Sequence, residues 1–564
     1  MTRSLSSPIQ AMQDKYDVVV IGSGYGGGIA ASRLSRAGKA VCVLERGDEK
    51  QPGDYPNNAL SLLEEIQIDT PEKKLGSDVA LFDIRHNDSI NVVIGCGLGG
   101  TSLINAGICL RPAPNVFANQ KWPTELQRES ALATYFDRAE EMLRPSPCPT
   151  NFLESAKTRA LQAAAAAVGK TAAPVSILVN FQPLVDDKNH VGVTQLPCVG
   201  CGDCVSGCNY SAKSTIIMNY LPDAKNHSAE IFTRARARHV EKTTSGWNVH
   251  GQIVDKDGST TAFKVTGEIV ILAAGALGST EILLRSRDNG LALSQRLGSC
   301  FSTNGDMIGF AYNTGRDING VGFGGRKVAG MPPVGPCSTV MVDWRNDDDV
   351  SSATVMEDGA MPGAISALLA PTLAIGSGLL GVGASHGWWD ELRQKAREVE
   401  SELSGPYSGA VANTLFLLVM AYDDSSGRMF LRDDRLRVDW PGLGQQEQFV
   451  RASAKMRQIA EALGGTYVKD PIWTNLTHYS LISGHPLGGC AMADNADRGV
   501  VNHKGQVFSG GAAGAEVHPG LYVMDGSVVP TALGVNPLFT ISALAERSCY
   551  ELVRDYGWTI DYKI

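Results

Sequence analysis

A chain of 564 residues with 43% hydrophobic and 19% charged residues has the composition of a large globular protein, longer than one ordinary domain. Its net charge of −9, without any block of Lys or Arg, lacks the basic footprint of a nucleic-acid binder. Twelve Cys are too sparse for a disulfide scaffold, and the polar stretch Met1 to Lys15 has no apolar leader, so a cytoplasmic setting is expected.

Tyr16-Asp-Val-Val-Val-Ile21 is a β-branched run suited to a strand buried on both faces. Gly22, Gly24 and Gly27 follow in G-x-G-x-x-G spacing; a helix is expected over Ile29 to Ala37, then a second strand over Ala40 to Leu44 closing on Glu45. The first glycine permits a tight turn, the second lets backbone approach a pyrophosphate, and the third lets helix and strand pack closely. The helix N-terminus presents N–H groups to phosphate, and Glu45 is placed to bind ribose hydroxyls. This unit predicts a dinucleotide site; the motif itself does not choose between FAD and NAD, although its N-terminal position in so long a chain leans toward FAD.

Further along, Gly95 to Ser102 forms another glycine-rich loop after the strand-like Asn91 to Ile94. Ser155 to Val168 reads as a helix, Pro197 to Ala212 as a Cys- and Gly-rich loop, and Glu268 to Leu272 as a buried strand. The middle, Cys300 to Tyr479, looks irregular apart from a helical stretch near Gln446 to Leu463; Gly520 to Asp525 reads as a strand and Leu538 to Tyr556 as the last helix. His503 and His518 are read as surface loop residues. From Gly359 to Trp389 there is no charged residue, which is long enough for a membrane span. Pro362, Pro371 and several glycines interrupt it, however, so a buried or interfacial substrate-entry loop is expected, with transient membrane-surface contact through 359–389. Nucleotide-type elements at both ends and in the middle imply a discontinuous dinucleotide domain (1–120, 225–300 and 480–564) and a substrate domain from the inserted pieces (121–224 and 301–479).

Several segments match one family. Gly97-Leu-Gly-Gly-Thr-Ser-Leu-Ile-Asn105-Ala-Gly107, Ala273 to Glu281, Gly484-His-Pro-Leu-Gly-Gly-Cys490, Tyr522 to Pro530 and Gly534 to Arg547 together resemble the glucose–methanol–choline (GMC) oxidoreductases, most of all their noncovalent-FAD cholesterol oxidase branch. The resemblance implies an α/β fold: a discontinuous FAD-binding Rossmann-like domain plus an inserted α+β substrate domain with an antiparallel sheet. It implies that His485 and Asn536 are catalytic, and that Gly97, Gly100, Thr101, Asn105 and Gly107 run under the flavin ring. It also places Gly275, Asp525, Gly526, Asn536 and Pro537 at the cofactor, and Val240 against the adenine through its backbone. Ile104 stands where covalently flavinylated members carry a His, so FAD is expected to be noncovalent. The branch also uses a Glu in the substrate domain to move a double bond; anchored on Phe416 to Gly427, a loose alignment puts Val411 or a neighbour there, with no carboxylate, so oxidation is expected and isomerisation is not.

The chemistry suits those residue types. Hydride leaves an alcohol carbon only as the hydroxyl proton is removed, and His titrates near working pH, at about 6.5. An adjacent Asn can hold the alcohol oxygen in place. The expected substrate is a bulky apolar alcohol, sterol-like or long-chain, with O2 the expected acceptor giving H2O2. The alternatives are a dehydrogenase passing electrons to a protein or iron–sulfur acceptor, and a lyase that keeps FAD without redox chemistry.

Cys198-x-x-Cys201-x-x-Cys204-x-x-x-Cys208 has the spacing of bacterial ferredoxins. In two-cluster ferredoxins the fourth Cys serves the other cluster and precedes Pro, whereas Asn209 follows here. Both an iron–sulfur site and structural thiols or disulfides remain open from the spacing, and zinc, which pairs separated knuckles, is disfavoured.

Overall fold

The structure is a computed structural model that describes residues 4–255, 258–327, 330–345, 353–366, 401, 405–470, 473, 479–510 and 514–564. The apolar stretch lies outside the described residues beyond position 366; among the described residues no helix is long and apolar enough to cross a membrane.

The first sheet grows from β1 (Lys15–Ile21), whose Val18, Val19 and Val20 are wholly buried. Helix α1 (Tyr25–Arg36) begins as soon as Gly24 caps it, earlier than the sequence pattern suggests, and leads to β2 (Val41–Leu44). β1 lies parallel to both β2 and β3 (Thr260–Leu272), and β3 feeds α2 (Gly275–Asp288). β-branched residues fill the three parallel strands because helices and loops cover both faces.

The middle of the chain is more ordered than its sequence suggests. β4 (Met307–Tyr312), β5 (Thr354–Gly359) and β6 (Leu415–Ala421) belong to a six-stranded sheet whose pairings are antiparallel. Helix α3 (Glu447–Ala462) packs its Met456 against Gly309 of β4. The pattern was hidden because β5 is buried at every position yet carries Glu357 and Asp358, which read as loop residues.

The chain then returns to the first sheet. After β7 (Leu481–Ser483), β8 (Val517–Val523) pairs parallel with β3 through Val270–Leu521, Ile271–Tyr522 and Leu272–Val523, and α4 (Leu538–Asp555) packs on α1. The helices are locked by a buried ion pair: Arg33 Nη2 lies 2.7 Å from Glu546 Oε1, with side-chain exposures of 2% and 0%. Tyr220 donates its hydroxyl to the same carboxylate, and the guanidinium sits over the Tyr220 and Tyr562 rings. Removing one partner leaves a buried charge alone, at a cost of about 3–5 kcal/mol. Glu546→Ala is therefore expected to lower the unfolding free energy by about that amount, measured by urea titration.

Candidate active site

The dinucleotide turn is built for close approach. Gly22 has φ +97°, and a Cβ there would fall 2.3 Å from Ala273 O; a Cβ on Gly27 would fall 2.0 Å from Gly22 O. In front of Gly24 no atom lies within 4 Å of the same position. The outer glycines thus serve packing and the middle one faces open space at the mouth of α1. Glu45, at the end of β2, is buried; it accepts from Ser23 N and Oγ and from Gly47 N, and burial raises its carboxyl above the usual range despite those donors.

The second glycine loop meets this turn. Gly100 (φ +57°) approaches Gly24 so closely that a Cβ would lie 3.0 Å from its Cα, and Gly99 N donates to Ser23 Oγ. Thr101 Oγ1 accepts from Gly95 N, Leu98 N beside Gly97 donates to Asp48 O, and Gly107 O accepts from Leu178 N. Asn105 donates its amide to Tyr25 OH while its Oδ1 stays buried without a hydrogen bond. Asp525 accepts from Gly275 N, Ser279 Oγ and Ser527 N, so it joins the start of α2 to the turn containing Gly526. Pro537 caps α4. Val240 sits in a paired strand and its N–H donates to Ser286 Oγ at 2.9 Å, so that donor is already committed. His518 is buried, with Nε2 donating to Ala292 O and its ring edge-on to Trp247, which corrects the surface reading; His503 is half-buried beside Arg547.

His485 and Asn536 are brought together by a buried turn, Ser302 to Asp306. Asp306 Oδ1 accepts from His485 Nδ1 at 2.7 Å, while Oδ2 accepts from Ser483 Oγ, Gly484 N and His485 N. Because a carboxylate can only accept, Nδ1 carries the proton and Nε2 is the basic edge. Asn304, in the same turn, donates to Val535 O and accepts from Leu533 N and Gly534 N, which holds the segment ahead of Asn536. Asp423 braces the turn from below through Ser302 Oγ, Thr303 N and Gly305 N. Burial alone would lower the His485 pKa, but the charge and hydrogen bond of Asp306, with help from Glu357, raise it above the ordinary value.

Glu357 is a carboxylate that the loose alignment on Phe416 to Gly427 did not find, since that alignment pointed to Val411 or a neighbour. It rises from β5, accepts from Asn536 Nδ2 at 3.4 Å, and is buried, whereas Val411 lies in the short helix Gly409–Ala412. Burial pushes its pKa up to about 8, with Asp358 and Asp306 adding to the rise and His485 and Asn536 opposing it. Neither Asp306 nor Glu357 has a local sequence motif; both became visible only when the antiparallel sheet carried them to the glycine-rich segments. Asn105 Oδ1, Glu357 Oε1 and Asn536 Oδ1 are all buried without hydrogen bonds. Together with the space before Gly24, these orphaned atoms fit a polar cofactor and substrate lying between the two glycine loops and His485.

The four cysteines from Cys198 to Cys208 are free thiols lining one small chamber with Lys213. Among the described residues no group of three or more His, Cys, Asp or Glu is set to hold a single metal ion.

The GMC oxidoreductase family profiles match residues 24–299 (N-terminal part) and 424–545 (C-terminal part). A cholesterol oxidase of Mycobacterium tuberculosis is 27% identical over 95% of this chain and 91% of its own. A long-chain-alcohol oxidase of Arabidopsis thaliana is 23% identical over 94% of this chain and 66% of its own. Among solved structures, pyridoxine 4-oxidase from Mesorbium loti superposes with a TM-score of 0.61 at 18% identity, covering 95% of this chain and 99% of that one. The chain belongs to the GMC oxidoreductases. It is an FAD-dependent oxidoreductase acting on CH–OH groups.

Two outcomes follow from this geometry. Gly24→Ala should leave the melting temperature of cofactor-free protein unchanged while cutting bound flavin, whereas Gly27→Ala should lower both; differential scanning fluorimetry and flavin absorbance report each. Glu357 has its folded pKa raised from 4.5 to about 8, so it costs nothing below pH 4.5 and progressively more as pH rises to 8. At about 1.4 kcal/mol per unit, Glu357→Gln should stabilise the protein by about 5 kcal/mol above pH 8 and by nothing near pH 4, as read by urea titration at each pH.

Proposed function

We propose that the protein oxidises the hydroxyl of a bulky apolar alcohol, sterol-like or long-chain, with noncovalent FAD and with O2 as acceptor, giving H2O2. The observation that carries this reading is that Asp306 holds His485 and that Asn536 donates to the buried Glu357, while Asn105 Oδ1, Glu357 Oε1 and Asn536 Oδ1 are left without hydrogen bonds. The relatives named for sterol and long-chain alcohols support the substrate class, and Ile104, an aliphatic side chain ahead of Asn105, supports noncovalent binding.

Gly22, Gly24 and Gly27 with the N-terminus of α1 would hold the FAD pyrophosphate, Glu45 its ribose, and Gly97, Gly100, Thr101, Asn105, Gly107, Gly275, Asp525, Gly526 and Pro537 the remainder, with Val240 toward the adenine. When bound, FAD supplies the acceptor for the hydride leaving the alcohol carbon. Nε2 of His485 takes the hydroxyl proton, and the imidazolium that forms is stabilised by the Asp306 carboxylate at Nδ1. Asn536 Nδ2 has a second N–H to donate to the alcohol oxygen, which fixes the angle at which the carbon is presented. Glu357, neutral below about pH 8, places no full negative charge beside that carbon. In its ionised form it can remove the proton α to a newly formed ketone and return it to the γ carbon. A β,γ double bond thereby moves into conjugation with no net loss of atoms.

Anaerobic addition of a sterol or long-chain alcohol should bleach the flavin, and air should return the colour with H2O2 formed; a flavin left oxidised under saturating substrate argues instead for the non-redox lyase. His485→Ala should lower kcat/KM by roughly 10²–10⁴. Since His485 must be neutral to accept a proton, kcat/KM should rise with pH through a value above ~6.5, and Asp306→Asn should move that rise to lower pH. With a β,γ-unsaturated sterol, Glu357→Gln should keep oxidation but stop at the unconjugated ketone, seen by ultraviolet absorbance.

A further inference from the structure

Glu357 is held weakly on its own face of the antiparallel sheet. It has one hydrogen bond, from Asn536 Nδ2 at 3.4 Å, and its Oε1 has none. Strand pairing puts it beside Met341 and Leu418, both only half-buried. Its place must therefore come from the strand that carries it. Successive residues of a strand point to opposite faces, so the next residue, Asp358, turns toward the helix packed on the far side of the sheet.

Asp358 is as heavily bonded as Glu357 is bare. Its Oδ1 accepts from Thr339 N at 2.7 Å and from Val340 N at 2.9 Å; its Oδ2 accepts from Thr339 Oγ1 at 2.7 Å and from Lys157 Nζ. Lys157 belongs to the helix Ala156–Ala167, which packs on β5 and on the neighbouring strand Val340–Asp343. Both charged side chains are at 0% exposure. Thr158, next in that helix, brings its Oγ1 within 2.5 Å of Thr339 Oγ1. At the start of β5, Lys455 of α3 donates to Thr354 Oγ1 at 2.8 Å. The ladder thus fixes β5 within the sheet, and two lysines fix it against the helices. A buried ion pair adds little net stability, since neutral side chains of similar volume often serve as well. Its location, one residue from Glu357, gives it another use.

We propose that Lys157 and Asp358 are positioning residues for Glu357: their ion pair pins the end of β5 to the helix and so sets where the Glu357 carboxyl stands beside Asn536. The effect on turnover rests on the proton-carrying role proposed above for Glu357; the placement of its carboxyl does not. The charges that reach Glu357 are those of His485, Asp306 and Asp358. Release of the strand changes its distance from them and the access of water to it.

The test uses the flavin-loaded full chain and a β,γ-unsaturated sterol. Lys157→Met and Asp358→Asn are made together, which strands no buried charge and leaves an Asn oxygen for Thr339 N and Val340 N. The ratio of conjugated to unconjugated ketone should fall roughly ten-fold, while flavin content and the rate of anaerobic flavin bleaching stay within about two-fold. A purely structural role would slow both steps alike through a smaller folded fraction and leave that ratio unmoved. The second measurement needs no turnover: it is the gain in urea midpoint that Glu357→Gln brings above pH 8. In the Lys157→Met, Asp358→Asn background this gain should shrink to about half or less, because Glu357 on a released strand reaches water and loses less by ionising. Wild-type protein that makes only unconjugated ketone rules out the proton-carrying role, and the urea gain then decides the placement alone. An equal urea gain in the two backgrounds overturns the proposal, as does an unmoved product ratio in protein that isomerises. Lys157→Gln with Asp358→Asn, able to restore a neutral hydrogen bond across the gap, replaces the first pair if that does not fold and is judged by the same two readings.

Discussion

The turn from Ser302 to Asp306 is the constraint on which the active site depends. Its Asp306 fixes the imidazole of His485 and its Asn304 fixes the segment ahead of Asn536, so two residues far apart in the chain take their positions from one short piece of backbone. That backbone is buried and has polar groups that need partners; Asp423 supplies several of them. Movement of the turn would displace the His485 imidazole and the segment ahead of Asn536 together.

The electrostatics of the site pull in opposite directions by design of its burial. Asp306 holds a positive charge on His485 to higher pH, while desolvation keeps a proton on Glu357. Each group acts on the other: ionising Glu357 favours the imidazolium, and a positive His485 favours the ionised carboxylate.

How far the sequence could be read depended on whether the information was local. The β1–α1–β2 unit was legible because strand, glycine turn and helix adjoin one another; the structure moves the helix start to Tyr25 and the other bounds by no more than one residue. His485 and Asn536 came forward only through the family resemblance of their glycine- and proline-marked segments. Glu357 was not, because its neighbours Glu and Asp look like a solvent-exposed stretch until β5 is seen buried between β6 and Val340–Asp343. Asp306 was equally silent, since an aspartate beside Gly305 reads as any turn. The antiparallel sheet was inferred from family likeness rather than from period-two patterning, which is absent from the wholly buried Thr354–Gly359.

The pairing of β8 with β3, and of Glu546 with Arg33, has a consequence for synthesis. The glycine-rich turn near the N-terminus leaves the ribosome long before the strand at Val517–Val523 and the helix carrying Glu546. Until then β3 presents an unpaired hydrophobic edge and Arg33 an uncompensated charge. The earliest-made element therefore gains its last strand partner and its buried counter-charge only after nearly the whole chain has been made.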